Sequence, residues 1–174
     1  DEAARWYGNM AEELITAPFT PAQRARFLGY YREAGLLDNP WKLAFFRHHY
    51  ARPLSRAVGA LFGGRRAPRI LDLGCGLGTQ SLLFALCGAE VVAVDVDREA
   101  LELLRLRKER YEQAAGRPLA LTIRETDACA LPPELGAFDG LYSLFAFNLM
   151  QPTRALLDVL CPRLTAGAKL VIQD

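Results

Sequence analysis

Asp72, Gly74, Gly76 and Gly78 stand in one short segment, Asp72-Leu73-Gly74-Cys75-Gly76-Leu77-Gly78, and a second acid, Asp95, follows about 20 residues after the first glycine. Glycines have no Cβ, so the chain can turn sharply there and a ligand can lie against its backbone amides. A carboxylate at the tip of the following strand can accept hydrogen bonds from the hydroxyls of a ribose. The chemistry on offer is recognition of a ligand with an adenosine portion. A glycine run alone would be weak evidence, and its weight depends on what surrounds it.

What surrounds it is an alternation of short apolar runs with longer amphipathic ones from Arg69 onward. That pattern predicts an α/β fold, doubly wound, with a mainly parallel sheet covered on both faces. Five strands are expected, Ile70 to Leu73, Val91 to Asp95, Leu119 to Glu125, Phe138 to Ser143 and Lys169 to Gln173, with helices opening near Gly78, Asp97 and Pro152. Between Asp127 and Gly136, Pro132-Pro133 predicts a loop or a broken turn of helix.

Before the sheet, residues 1–66 read as a helical N-terminal cap, and 67–174 as the core that holds the glycine loop. Thr20-Pro21-Ala22-Gln23 carries an N-cap, a proline at the first helical position and a capping-box Gln. The helix it opens places Phe27, Tyr30, Tyr31 and Ala34 on one side and stops at Gly35. Asn39-Pro40 opens another, with Trp41, Phe45 and Phe46, and Pro53 is expected to break it before a short helix running to Phe62.

Composition narrows the partners. Lys and Arg number 21 against 20 Asp and Glu, a net charge of +1, so no overall field draws in nucleic acid or an anionic membrane. Arg105 to Arg110 is interleaved with Glu102, Glu109 and Glu112 and reads as a solvated helix face. Cys75, Cys87, Cys129 and Cys161 form no CxxC pair and no Cys/His cluster, which predicts reduced thiols, no metal centre and a cytoplasmic protein. No apolar run reaches the ~20 residues of a membrane span.

The Gly-x-Gly-x-Gly loop with Asp72 two residues ahead resembles the first motif of class I S-adenosylmethionine-dependent methyltransferases. Later segments continue the resemblance in order: Val94-Asp95-Val96-Asp97, Thr126-Asp127-Ala128, Phe138-Asp139-Gly140-Leu141-Tyr142-Ser143 and Leu164 to Ile172. The likeness implies strands 1 to 5 of that fold, S-adenosylmethionine as cofactor and S-adenosylhomocysteine as product. It implies that Asp72 helps hold the aminoacyl end, that the backbone of Gly74, Cys75, Gly76 and Gly78 wraps the methionine portion, and that Asp95 takes the ribose hydroxyls. Val96 would pack on adenine, Asp127 accept from its exocyclic amine, the Ala128 amide serve the ring, and Ser143 and Leu144 lie near the methionine portion. An acid at Asp72 suits an ammonium and a sulfonium and repels a pyrophosphate. Asp97 reads instead as a helix cap.

The acceptor is less legible. Leu144-Phe145-Ala146-Phe147-Asn148-Leu149-Met150 has no Asn/Asp-Pro-Pro-aromatic motif, and the chain lacks the paired-glutamate loop of arginine methyltransferases. The stretch resembles methyltransferases of small molecules, with Phe145, Asn148 and Tyr50 as substrate-side candidates, Tyr50 being placed as a lid. No residue is assigned as catalytic, because a sulfonium methyl is already activated and a base is optional. His48 and His49 point in different directions on one helix, so at most one can face a pocket. Two other functions remain open at this point: a non-catalytic subunit that binds a partner protein, and an NAD-dependent oxidoreductase. The family's sheet continues past strand five into a helix and two further strands, so strand five is expected as an open edge able to meet a second copy or a partner chain. That edge and the missing initiator Met are read as signs of a trimmed sequence.

Overall fold

A computed structural model of the chain describes residues 2–30 and 39–173. Two compact units divide between Arg56 and Ala57. In the first, α1 (Glu2–Thr16) buries Trp6, Tyr7, Met10 and Leu14, the spacing of one helical face. α2 (Pro21–Tyr30) opens with a reciprocal capping box, the Thr20 N–H donating to Gln23 Oε1 at 2.9 Å and the Gln23 N–H to Thr20 Oγ1 at 3.2 Å. The readings on Tyr31, Ala34 and Gly35, and on the side chains of Phe46 and His48, lie outside the described residues.

α3 (Pro40–Phe62) starts where Asn39 Oδ1 accepts from the Trp41 N–H at 3.1 Å. The expected break at Pro53 does not occur, and the proline lies inside the helix. Ala51, Leu54, Ala57 and Leu61 are buried on either side of it. Burial of that stripe offsets the one hydrogen bond the proline cannot make.

The second unit runs β1 (Arg69–Leu73), α4 (Thr79–Leu86), β2 (Glu90–Asp95), α5 (Arg98–Ala115), β3 (Leu121–Glu125), β4 (Phe138–Leu144), α6 (Thr153–Leu160) and β5 (Leu164–Gln173). Short 3₁₀ turns, Ala128–Ala130 and Pro133–Leu135, fill the stretch between β3 and β4. All pairings are parallel and the strand order is β3-β2-β1-β4-β5. The chain therefore winds outward from β1 in one direction and then crosses to build β4 and β5 on the other side. Right-handed crossovers send the helices of the two halves to opposite faces.

Two strand boundaries differ from expectation. β3 begins at Leu121 rather than Leu119, whose N–H is taken by Glu112 Oε1 at 2.8 Å. β5 begins at Leu164 rather than Lys169, because Leu164 already pairs with Phe138 before the register shifts and Gly140 meets Lys169. Gly167, where φ is +77°, lies within that irregularity. β5 lies at the sheet's edge with Leu170 and Ile172 exposed.

Strand alternation sorts the side chains. Leu71, Leu73, Val92, Val94 and Leu141 join Leu156 and Leu160 of α6 in one buried cluster. Asp72 falls on the opposite face, level with Ala93 of β2 and Tyr142 of β4. There the Phe84 ring of α4 meets Tyr142 edge-on, with centroids 5.1 Å apart.

Candidate functional site

The order β3-β2-β1-β4-β5 puts a switch point between β1 and β4, where open α/β sheets bind ligands at the carboxyl ends of their strands. The glycine loop leaves β1 there, and its peptides are held one by one. The N–H groups of Gly74 and Cys75 both donate to Val94 O, at 2.9 and 3.1 Å, and the Gly78 N–H donates to Cys75 O at 2.8 Å. The Gly76 N–H donates to Asp95 Oδ2 at 2.7 Å. Asp95 Oδ1 accepts from the Asp97 N–H at 2.9 Å, and Asp97 Oδ1 caps α5 through the Ala100 N–H at 3.0 Å. A carboxylate offers about four acceptor positions, so Asp95 can close the loop and still take hydroxyls.

Gly74 and Gly78 are required as glycines. Both have positive φ, +66° and +67°. A Cβ on Gly74 would stand 2.4 Å from Ala146 Cβ, and one on Gly78 would stand 2.2 Å from Leu104 Cδ1. The β1 loop thus presses on the segment after β4 on one side and on α5 on the other. Gly74→Ala is expected to lower stability by about 2 kcal/mol, combining left-handed backbone cost with overlap against a methyl that cannot swing away. Denaturant unfolding of the variant beside the wild type checks this.

Asp72 is 3% exposed, and Ser81 Oγ donates to its Oδ2 at 2.5 Å. Burial, partly opposed by that hydrogen bond and assisted by the charge of Asp95, raises its pKa from 3.8 to about 7. An aminoacyl role would therefore fall to its other oxygen. Cys75 is buried, and burial together with Asp72 and Asp95 pushes its thiol up, so it stays protonated.

Of the other residues chosen from the sequence, those of the second unit fall at or just after the carboxyl ends of β2, β3 and β4. Val96, directly after Asp95, is 70% exposed, an apolar side chain held open beside the acid. Asp127 is exposed and its Oδ1 accepts from the Cys129 N–H at 2.8 Å, while Ala128 is buried. Ser143 is buried and donates to Leu73 O at 3.0 Å, joining β4 to β1 beneath the loop. Phe145 has φ +54°, unusual for an aromatic residue, and its N–H donates to Gln173 O at 2.6 Å. Asn148 is exposed, in the 3₁₀ turn Phe147–Leu149. Tyr50 belongs to the first unit, its ring 5.9 Å from Tyr7 and 5.2 Å from His49. His49 itself is exposed and stacked on Phe45.

One residue contradicts its reading. Arg107, placed by sequence on a solvated face, is 1% exposed. Its Nη1 donates to Leu77 O and, at 3.0 Å, to Thr79 Oγ1. The charge interleaving around it is real, with Arg98–Glu102 and Lys108–Glu112 pairs on α5. Yet Arg107 lies in phase with Ala100, Leu101, Leu103 and Leu104 on the buried stripe of that helix, and that phase is the signal that would have found it.

Comparison with known proteins agrees with this geometry. The methyltransferase domain family matches residues 70–167. An O-methyltransferase of Penicillium expansum is 29% identical over 148 residues, covering 84% of this chain and 52% of that protein. A demethylmenaquinone methyltransferase of Renibacterium salmoninarum is 34% identical over 120 residues, covering 68% and 44%. The chain spans about half the length of these curated relatives. Among solved structures, the magnesium protoporphyrin IX methyltransferase of Synechocystis with bound S-adenosylmethionine superposes with a TM-score of 0.56 at 20% identity, covering 70% of this chain and 58% of that one. An amino pentose methyltransferase of Micromonospora echinaspora gives 0.57 at 23%, covering 70% and 49%. These two share the fold, and the match over residues 70–167, with the loop and acids at the switch point, shows that the chain belongs to the methyltransferase domain family.

Proposed function

We propose that this chain is the cofactor-binding core of an enzyme that moves the methyl group of S-adenosylmethionine to a small-molecule acceptor by in-line displacement, leaving S-adenosylhomocysteine. The observation that carries the reading is the closed glycine loop at the switch point, with Asp95 on the Gly76 amide and Asp72 beneath. The donor set suits that cofactor: two carboxylates for its ammonium and ribose hydroxyls, and an exposed Val96 for a flat apolar ring. In this reading Asp127 and Ala128 meet the adenine, and Ser143 steadies β4 near the methionine portion.

Bound there, the cofactor would supply a methyl group activated on a sulfonium, for in-line attack by the acceptor's nucleophile with the electron pair of the broken C–S bond staying on sulfur. The protein's task is then alignment and exclusion of water. In this reading Phe145 and Asn148 serve the acceptor, and the chain comprises a helical segment, 1–66, and a cofactor-binding core, 67–174. A small acceptor is supported by the relatives, whose names are those of an O-methyltransferase and a demethylmenaquinone methyltransferase.

Titration calorimetry with S-adenosylhomocysteine is expected to show one site per chain with micromolar or tighter affinity. NADH binding without S-adenosylhomocysteine binding would sink the proposal in favour of a dehydrogenase.

A further inference from the structure

Arg107 sits where folding alone would prefer a leucine. It occupies the buried stripe of α5, three residues after Leu104, whose side chain fills the space beside Gly78. Burying a guanidinium is costly, and replacing a buried charge by an apolar side chain of similar size is often neutral or stabilising. Its contacts also fall at the first turn of α4, Thr79–Leu86, the end where a helix disfavours a cation. Something other than core packing is served by this residue.

What it holds is the far end of the glycine loop. Gly78 is the N-cap of α4 and has no side chain to cap it. The Nη1 of Arg107 reaches the residues on either side, Leu77 through its carbonyl and Thr79 through its hydroxyl. In a trans peptide the carbonyl and the following N–H point in opposite directions. Fixing Leu77 O toward α5 therefore fixes the Gly78 N–H, which is already donated to Cys75 O at 2.8 Å. The peptide between Leu77 and Gly78 is clamped on both edges, as Asp95 clamps Gly76 from the other side. Each glycine loses more backbone freedom on ordering than any other residue, and this loop has three. Such clamps settle that loss during folding instead of at ligand binding.

We propose that Arg107 is a positioning residue for the cofactor loop, preorganising Leu77 to Thr79 without itself touching the ligand. The ligand in this proposal rests on the reading of the site as one for S-adenosylmethionine.

The test compares wild type, Arg107→Met, Arg107→Lys and Thr79→Val by S-adenosylhomocysteine calorimetry and by hydrogen exchange of backbone amides. Loss of two hydrogen bonds from a charged donor is expected to raise Kd about tenfold to a hundredfold in Arg107→Met. Amides of residues 74–79 should exchange faster while those of β1 and β2 keep their protection. Lysine, which keeps the charge and the donors on a shorter side chain, should restore part of both signals. A folded Arg107→Met with wild-type Kd and wild-type loop exchange overturns the proposal, as does faster exchange spread evenly over the sheet. Should Arg107→Met fail to fold, Thr79→Val takes its place, being similar in shape and lacking one acceptor. A few-fold rise in Kd with faster loop exchange then supports the clamp, and no change in either overturns it. If the wild type binds no S-adenosylhomocysteine, the functional reading fails on its own, and the exchange data still decide whether Arg107 holds the loop.

Discussion

Asp95→Ala should weaken S-adenosylhomocysteine binding by two to three orders of magnitude, and should also lower thermal stability because the Gly76 and Asp97 amides lose their acceptor. The residue has two tasks in the proposed site. Its Oδ2 holds the Gly76 amide at 2.7 Å and its Oδ1 the Asp97 amide at 2.9 Å, and the remaining acceptor positions would meet the ribose. Hydrogen bonds to a charged group contribute roughly 1.5 to 3 kcal/mol each. Losing both ribose bonds, or one of them together with the loop's closure, reaches the expected loss. Asp95→Asn, which keeps one carbonyl oxygen for Gly76, should fall between wild type and alanine. Calorimetry on the three proteins gives the order, and equal affinities across them would remove Asp95 from the site.

Asp72→Asn should have the opposite effect on stability and a similar one on binding. The folded-state pKa of Asp72, about 7, lies above the ordinary 3.8. Between those two values the folded protein holds a proton that the unfolded chain has lost, so this residue's contribution to stability falls as pH rises from about 4 to 7 and stays low above that. Moving a pKa that far corresponds to at most roughly 4 kcal/mol against the charged form. The asparagine variant should therefore match the wild type near pH 4 and be more stable at pH 8. Other carboxylates titrate in both proteins and cancel in the difference. Affinity for a cofactor carrying an ammonium should run the other way, tightening in the wild type as pH rises through 7 and staying weak in the variant. Unfolding and binding measured across that range separate the two slopes. A stability difference independent of pH would show that the buried carboxyl does not titrate as its surroundings require.

The contrast between these two acids also explains what could be read in advance. Strand periods and glycine positions placed β1, β2 and β4 to within a residue at either end, because parallel strands buried on both faces leave little freedom in pattern. The capping box at Thr20 and the cap at Asp97 were legible for the same local reason. Pro53 was misread because a proline's local cost says nothing of the stripe buried around it. The start of β5 was missed because the apolar pattern does not reveal a register shift within a paired strand. Type and spacing singled out Asp72 and Asp95, which lie near the ends of β1 and β2. That Asp72 would be turned inward to Ser81, and that Arg107 would support the loop from below, depend on which face of α4 and α5 meets the sheet. Charge counting along α5 concealed the second of these.

The methyl of Ala146 fills the space a side chain on Gly74 would need. The glycine loop is closed by its own hydrogen bonds, whereas the segment from Phe145 to Met150 exposes Phe145 and Leu149. That segment can therefore change its exposed side chains without disturbing the loop, except at Ala146, a position whose smallness belongs to the loop it touches rather than to the segment that encodes it.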